Sequence, residues 1–197
     1  MDLDGDGDLD VALSRRPSHG FYWYERKSDS EWIQHTLSES PELPQSLGAA
    51  GVDVDRDGWT DLVFSQVWFR NPGTSRESSG KEWSAHRYRG GGHDILGVDV
   101  NGDGSPEVVV FDGEKLVWFS GAQLERIHPV AEGIGHHGGL TPKGAGDLDG
   151  DGDIDIVSKI WNKDGPTYHA DYWRNDTRAD RLHRSYPRTH LSPPHQH

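Results

Sequence analysis

The sequence predicts an all-β protein made of four repeated units, each holding about four short strands. Three observations predict it. The 197 residues include 25 Gly and 11 Pro, a density of punctuation that favours tight turns over long helices. No stretch places apolar residues at the spacing of an amphipathic helix, whereas short β-branched and aromatic runs recur between Gly, Pro and Asp. One nine-residue acidic pattern also returns four times, with starts 51, 46 and 48 residues apart.

The elements follow in a fixed order. Each unit opens on an acidic segment: residues 2–10, 53–61, 99–107 and 147–155. A β-type run comes next: Val11-Ala12-Leu13, Leu62-Val63-Phe64, Val108-Val109-Val110 and Ile156-Val157. An aromatic strand follows at Phe21-Tyr22-Trp23-Tyr24, Val67-Trp68-Phe69, Val117-Trp118-Phe119 and Tyr172-Trp173. A third strand is expected around Trp32 and His35, Trp83 and His86, Leu124 and His128, and residues 182–186. Small-residue strands at 48–52, 94–98 and 143–146 lead into the next acidic segment. About four strands in every 45 to 50 residues is the blade unit of a β-propeller. A WD-type repeat has a similar period, but its Gly-His and Trp-Asp marks are missing from the expected places.

Composition narrows the function classes. Low hydropathy with a net charge of −13 would suit disorder, but 8 Trp, 6 Tyr and 5 Phe argue against it. The absence of Cys excludes disulfides and thiolate chemistry. The longest apolar run, Val108-Val109-Val110-Phe111, is far short of the about 20 residues that span a membrane. Seventeen of the 33 acidic residues fall in the four acidic segments, and elsewhere Lys and Arg outnumber Asp and Glu by three. The chain is therefore a near-neutral body with four knots of carboxylate, and it lacks the basic surface that nucleic-acid binding requires.

Each knot has the chemistry of a cation loop. Side-chain oxygens stand at positions 1, 3, 5 and 9: Asp2, Asp4, Asp6 and Asp10; Asp53, Asp55, Asp57 and Asp61; Asp99, Asn101, Asp103 and Glu107; Asp147, Asp149, Asp151 and Asp155. Gly at position 6 permits a sharp turn. Position 7 offers a backbone carbonyl from Asp8, Trp59, Ser105 and Asp153. This collects the hard oxygens, about six to eight with water, that Ca²⁺ takes, whereas Mg²⁺ demands stricter octahedral geometry. With no His or Cys at a ligand position, Zn²⁺ and copper are poor matches. Without a cation, such close carboxylates repel one another. Four Ca²⁺ would bring the net charge from −13 to −5. The third loop, with Asn101 and Glu107, is expected to be weaker, and so is the first, which has no strand before it.

The D-x-[DN]-x-[DN]-G-x-x-[DE] loops, each followed by a strand at this spacing, resemble FG-GAP/VCBS-type repeats, the calcium-loop blades of integrin α-subunit-like propellers. The resemblance covers nearly the whole chain. It implies that each loop joins the innermost strand of a blade to the next, with the ligands at the positions above. It also implies an extracellular or cell-surface setting and a module for adhesion, or for protein or carbohydrate contact. The segment 133–161 loosely resembles propellers of bacterial sugar-processing enzymes, which keeps a lyase or dehydratase as the alternative function.

Residues 1–190 are read as blades, the first lacking its inner strand, and residues 191–197 as a disordered tail. Family members usually close with about seven blades, so the chain is expected to be a fragment of a larger propeller. The consecutive Pro193 and Pro194 argue against a strand between Arg188 and the C-terminus. His93, His136, His137 and His169 are the candidates for a catalytic cluster, their blander role being in turns and interfaces. The aromatic segments are expected to fill the space between blades rather than stack on sugars.

Overall fold

The computed structural model describes residues 1–15, 19–73, 82–92, 94–112, 115–131, 141–159, 170–175 and 188–191. The fifteen elements among the described residues are all strands. The first sheet contains β1 (Val11–Arg15), β2 (Gly20–Arg26) and β3 (Trp32–Ser38) in that order. The second runs β4 (Ala49–Val52), β5 (Asp61–Phe64), β6 (Val67–Arg70) and β7 (Ser84–Arg87). The third runs β8 (Ile95–Val98), β9 (Glu107–Phe111), β10 (Leu116–Ser120) and β11 (Arg126–Ala131). The fourth runs β12 (Thr141–Gly146), β13 (Asp155–Lys159), β14 (Ala170–Trp173) and β15 (Arg188–Leu191). Every pairing is antiparallel between neighbours in sequence, the meander of a propeller blade.

The blades succeed one another through the strands nearest the axis, with β4 beside β8 and β8 beside β12, while in the first blade β1 lies beside β4. Loops 2, 3 and 4 each link an inner strand to the second strand of the same blade, and loop 1 leads into β1, the counterpart of β5, β9 and β13, so all four loops lie at equivalent places. The strand expected at residues 182–186 falls outside the described residues. The outer strand of the fourth blade is instead Arg188–Leu191, in the segment where the prolines argued against one; it stops short of Pro193, so they do not oppose it. Leu191 is the last residue of this strand, and residues 192–197 lie outside the description.

Period-two alternation buries both faces of the middle strands. Leu62 and Phe64 of β5 pack with Val67 and Phe69 of β6 against Leu3, Phe21 and Trp23 of the first blade. Val63 and Trp68 point the other way, into a cluster with Val108, Val110, Val117 and Phe119 of the third. Val109, Leu116 and Trp118 meet Ile156 and Trp173 of the fourth. The aromatic segments thus fill the spaces between blades. A blade cannot bury these faces alone, which is the physical reason for the repeat.

The Trp and His marks of the sequence prove to be one feature. Trp23, Trp68 and Trp118 stand directly across the ladder from His35, His86 and His128. Each pair stacks, with ring centroids 4.2, 4.5 and 3.7 Å apart. Cross-strand ring pairs of this kind stabilise a sheet face, and they place these three histidines in the fabric of the blades. In the fourth blade the register puts Tyr172 and Thr189 at the same place.

Candidate metal centres

The loops are shaped by their own carboxylates. In loop 1, both oxygens of Asp2 accept backbone N–H groups, from Gly5 at 2.7 Å and Gly7 at 3.1 Å. Asp147 does the same in loop 4 with Gly150 and Gly152, at 2.7 and 3.0 Å. Asp53 takes Asp57 and Gly58, and Asp99 takes Gly102, Asp103 and Gly104. The position-5 carboxylates Asp6, Asp57, Asp103 and Asp151 accept the N–H of position 7 at 2.9–3.1 Å. The turn common to the four loops needs positive φ at position 6, where Gly7, Gly58, Gly104 and Gly152 have φ of 88–94°.

Position 9 plays a second part. Asp10, Asp61, Glu107 and Asp155 are all buried. Each accepts the N–H of loop position 2 at 2.9–3.0 Å: Leu3, Val54, Val100 and Leu148. In three blades the other oxygen accepts the N–H of the residue closing the aromatic strand, Arg26, Asn71 or Asn175, at 2.7–3.0 Å. In the third blade it takes the side-chain amide of Asn101. The buried acid therefore staples the loop to its sheet. Burial pushes the Asp61 carboxyl up to about 7, against the pull of its two N–H donors, and it pushes Glu107 to about 7 as well.

Four groups of carboxylate oxygens converge to within 4.8 Å: Asp2, Asp4 and Asp6; Asp53, Asp55 and Asp57; Asp99, Asp103 and Glu107; Asp147, Asp149 and Asp155. The structure thus brings positions 1, 3 and 5 together in the first two loops, while Asp10 and Asp61 act as staples outside the cluster. Position 9 joins the cluster in the last two. Asp151 lies outside that of loop 4, and Asn101 turns its amide to Glu107. Asp8, Trp59, Ser105 and Asp153 are fixed by the N–H bonds above, with Trp59 laying its indole over Gly5 and Gly73.

The residues fit a hard dication. The donors are all oxygen, and two loop carboxylate oxygens, Asp8 Oδ1 and Asp55 Oδ1, are buried with no hydrogen-bond partner. Burial, with Asp6 close by, raises the pKa of Asp8 above its ordinary value. Clusters of this composition could hold metal ions.

Sequence reasoning missed several residues around the loops. Arg70 is ion-paired to Asp55 and, at 2.6 Å, to Asp57. Arg174 pairs with Asp149 at 2.9 Å and Asp151 at 3.5 Å. The buried amides of Asn71 and Asn175 reach back to the previous blade's loop, donating to the carbonyls of Leu3 at 2.8 Å and Val100 at 2.7 Å. The signal was present: Trp68-Phe69-Arg70-Asn71 and Tyr172-Trp173-Arg174-Asn175 repeat one another. His93, His136, His137 and His169 lie outside the described residues, as do residues 133–140, 160 and 161 of the segment 133–161 that suggested an enzyme.

Blades of three or four antiparallel strands, each carrying an acidic loop before its second-strand position, define a repeat propeller with candidate metal centres. Residues 2–64 and 99–158 match the FG-GAP-like repeat, more than half of the chain and all four loops, and the chain belongs to that family. No curated protein and no solved structure matches it. No helix among the described residues is long and apolar enough to cross a membrane.

Proposed function

We propose that the chain is a calcium-binding β-propeller module, non-catalytic, that works outside the cell in adhesion or in contact with a protein or carbohydrate ligand. The observation that carries this reading is the fourfold recurrence of an all-oxygen carboxylate cluster at the same point of successive blades. Calcium supplies positive charge where three carboxylates meet and takes backbone and side-chain oxygens without strict geometry. Its part is structural, since it orders the turns that present the loop face of the propeller. The family is commonly extracellular, where free calcium is plentiful enough to fill sites of modest affinity.

The test is a thermal melt with calcium and with chelator, beside a calorimetric titration. Binding to the folded state alone stabilises by RT ln(1 + [L]/Kd), about 2.7 kcal/mol for each site at 100 times Kd. The melting temperature is expected to rise with calcium and to fall in chelator. An unchanged melt and no binding heat, or a clear preference for Zn²⁺, would sink the reading.

A further inference from the structure

The four loops differ in the residue that faces them across the ladder. One residue beyond the registered pairs Val11 with Tyr24, Leu62 with Phe69, Val108 with Phe119 and Ile156 with Trp173 stand Glu25, Arg70, Ser120 and Arg174. In blades 2 and 4 this residue is an arginine, and its guanidinium lies on the carboxylates at loop positions 3 and 5. In blade 1 it is the buried acid Glu25, engaged by Lys27 and His35. Among the described residues no Lys or Arg is ion-paired to Asp2, Asp4, Asp6 or Asp8. Loop 3 takes a cation from its neighbour. Arg56 stands at position 4, where the other loops have Gly5, Gly102 and Gly150, and it holds φ of 60° as a non-glycine residue. Its guanidinium reaches Asp103 at 2.9 Å and holds that carboxyl below the ordinary range.

We propose that Arg70 and Arg174 are built-in counter-cations that compete with the metal for loops 2 and 4, leaving loop 1 as the site that binds calcium most tightly. The inference rests on the calcium reading above. A guanidinium and a dication cannot both sit on the same pair of carboxylates without strong repulsion, so calcium must displace the arginine from loops 2 and 4. Loop 1 has no close ion pair to displace, since Arg26, whose charge is felt at Asp8, is ion-paired to Asp29 instead. It also adds Asp8, whose Oδ1 is buried and unpartnered, beside its cluster of Asp2, Asp4 and Asp6. This reverses the sequence-based expectation that loop 1 is weak for want of a preceding strand. It also gives the arginines a purpose, since they let blades 2 and 4 stay folded when calcium is scarce.

The experiment is calorimetric titration of the full chain with CaCl₂, paired with melts in chelator and in saturating calcium. The parent should show one tight phase, and Asp4→Asn should remove it. Arg70→Gln and Arg174→Gln should each tighten one weak site about tenfold, because the competing charge is gone, while Arg70→Lys should tighten it less. In the melts, Arg70→Gln should destabilise the chain in chelator and leave it unchanged or more stable in calcium. Calcium binding with affinities unmoved or weakened in both arginine variants overturns the inference and leaves the calcium reading intact. A tight phase that survives Asp4→Asn likewise overturns the ranking. Destabilisation of Arg70→Gln by the same amount in both melts shows a merely structural ion pair and overturns it too. No binding in the parent or any variant overturns both readings together.

Discussion

Replacing Asp61 by Ala removes an acceptor from the least accessible point of loop 2. The side chain is wholly buried and accepts two backbone N–H groups, from Val54 at 2.9 Å and Asn71 at 2.7 Å. No water can replace it without opening the sheet. A buried donor left without a partner costs about 1–3 kcal/mol, and two of them sum to roughly 4 kcal/mol. Part of this is offset because the carboxylate no longer has to be desolvated. The expected loss is about 3 kcal/mol for Asp61→Ala. Asp61→Asn keeps one acceptor and should cost about half as much.

The same group sets a pH dependence in the metal-free chain. Its carboxyl is raised from the ordinary 3.8 to about 7, so the folded state holds its proton longer than the unfolded state does. Its contribution is therefore complete below the unfolded value and is lost as pH rises through about 7. Glu107 acts in the same sense and over the same window. Urea denaturation in chelator, between about pH 4 and 7.5, reads both effects. Stability of the parent should decline across this range, and Asp61→Asn should flatten the decline without abolishing it. An Asp61→Ala variant within about half a kcal/mol of the parent, or a pH profile that Asp61→Asn leaves unchanged, refutes the reasoning.

Other outcomes follow from single contacts. Asn175→Ala deletes the amide donated to Val100 and Ile154, leaves two carbonyls unpaired, and should cost about 2 kcal/mol by urea denaturation. Gly58→Ala meets no atom within 4 Å of its new Cβ, so the strain of a φ of 92° acts alone and should cost about 1–2 kcal/mol in the same assay. Leu148 is 56% exposed although its counterparts Leu3, Val54 and Val100 are buried, and Val11 is 47% exposed on β1, whose inner edge pairs with no described strand. Light scattering should detect self-association that calcium reduces without abolishing; a stable monodisperse monomer would refute this.

The fold was legible because its signals are periodic. Middle strands buried on both faces write themselves as runs such as Val108-Val109-Val110, and the turns between them carry Gly or Asp. The acidic pattern located all four loops because a cation loop is a local structure, with its ligands about two residues apart. The division of labour within each loop was less visible. Asp61 and Asp55 look alike in sequence, yet one is a buried staple and the other half of an ion pair, and that difference depends on where Asn71 and Arg70 arrive from the next strand but one. The Trp-x-x-His pattern was also read without its partner, since His35 stacks on Trp23 across the ladder and not on Trp32.

The loops are also the joints between blades, and this shapes what a bound cation does. Position 2 of each of the first three loops inserts an apolar side chain, Leu3, Val54 or Val100, into the cluster shared with the following blade. At the first and third of these joints, Asn71 and Asn175 of the following blade close the contact on the carbonyl of the same residue. The second joint has no such asparagine, since Gly121 stands there, and Arg56 instead crosses from loop 2 to Asp103. Ordering a loop therefore orders its interface as well. In a linear array the energy resides in neighbour contacts as much as in the units, so a cation held by the loop 1 carboxylates would stabilise the second blade as well as the first. It follows that a loop 1 variant such as Asp4→Asn should weaken the first and second blades together, while an equivalent change in loop 4 should act mainly on the fourth, whose position-2 side chain Leu148 is exposed and meets no such cluster.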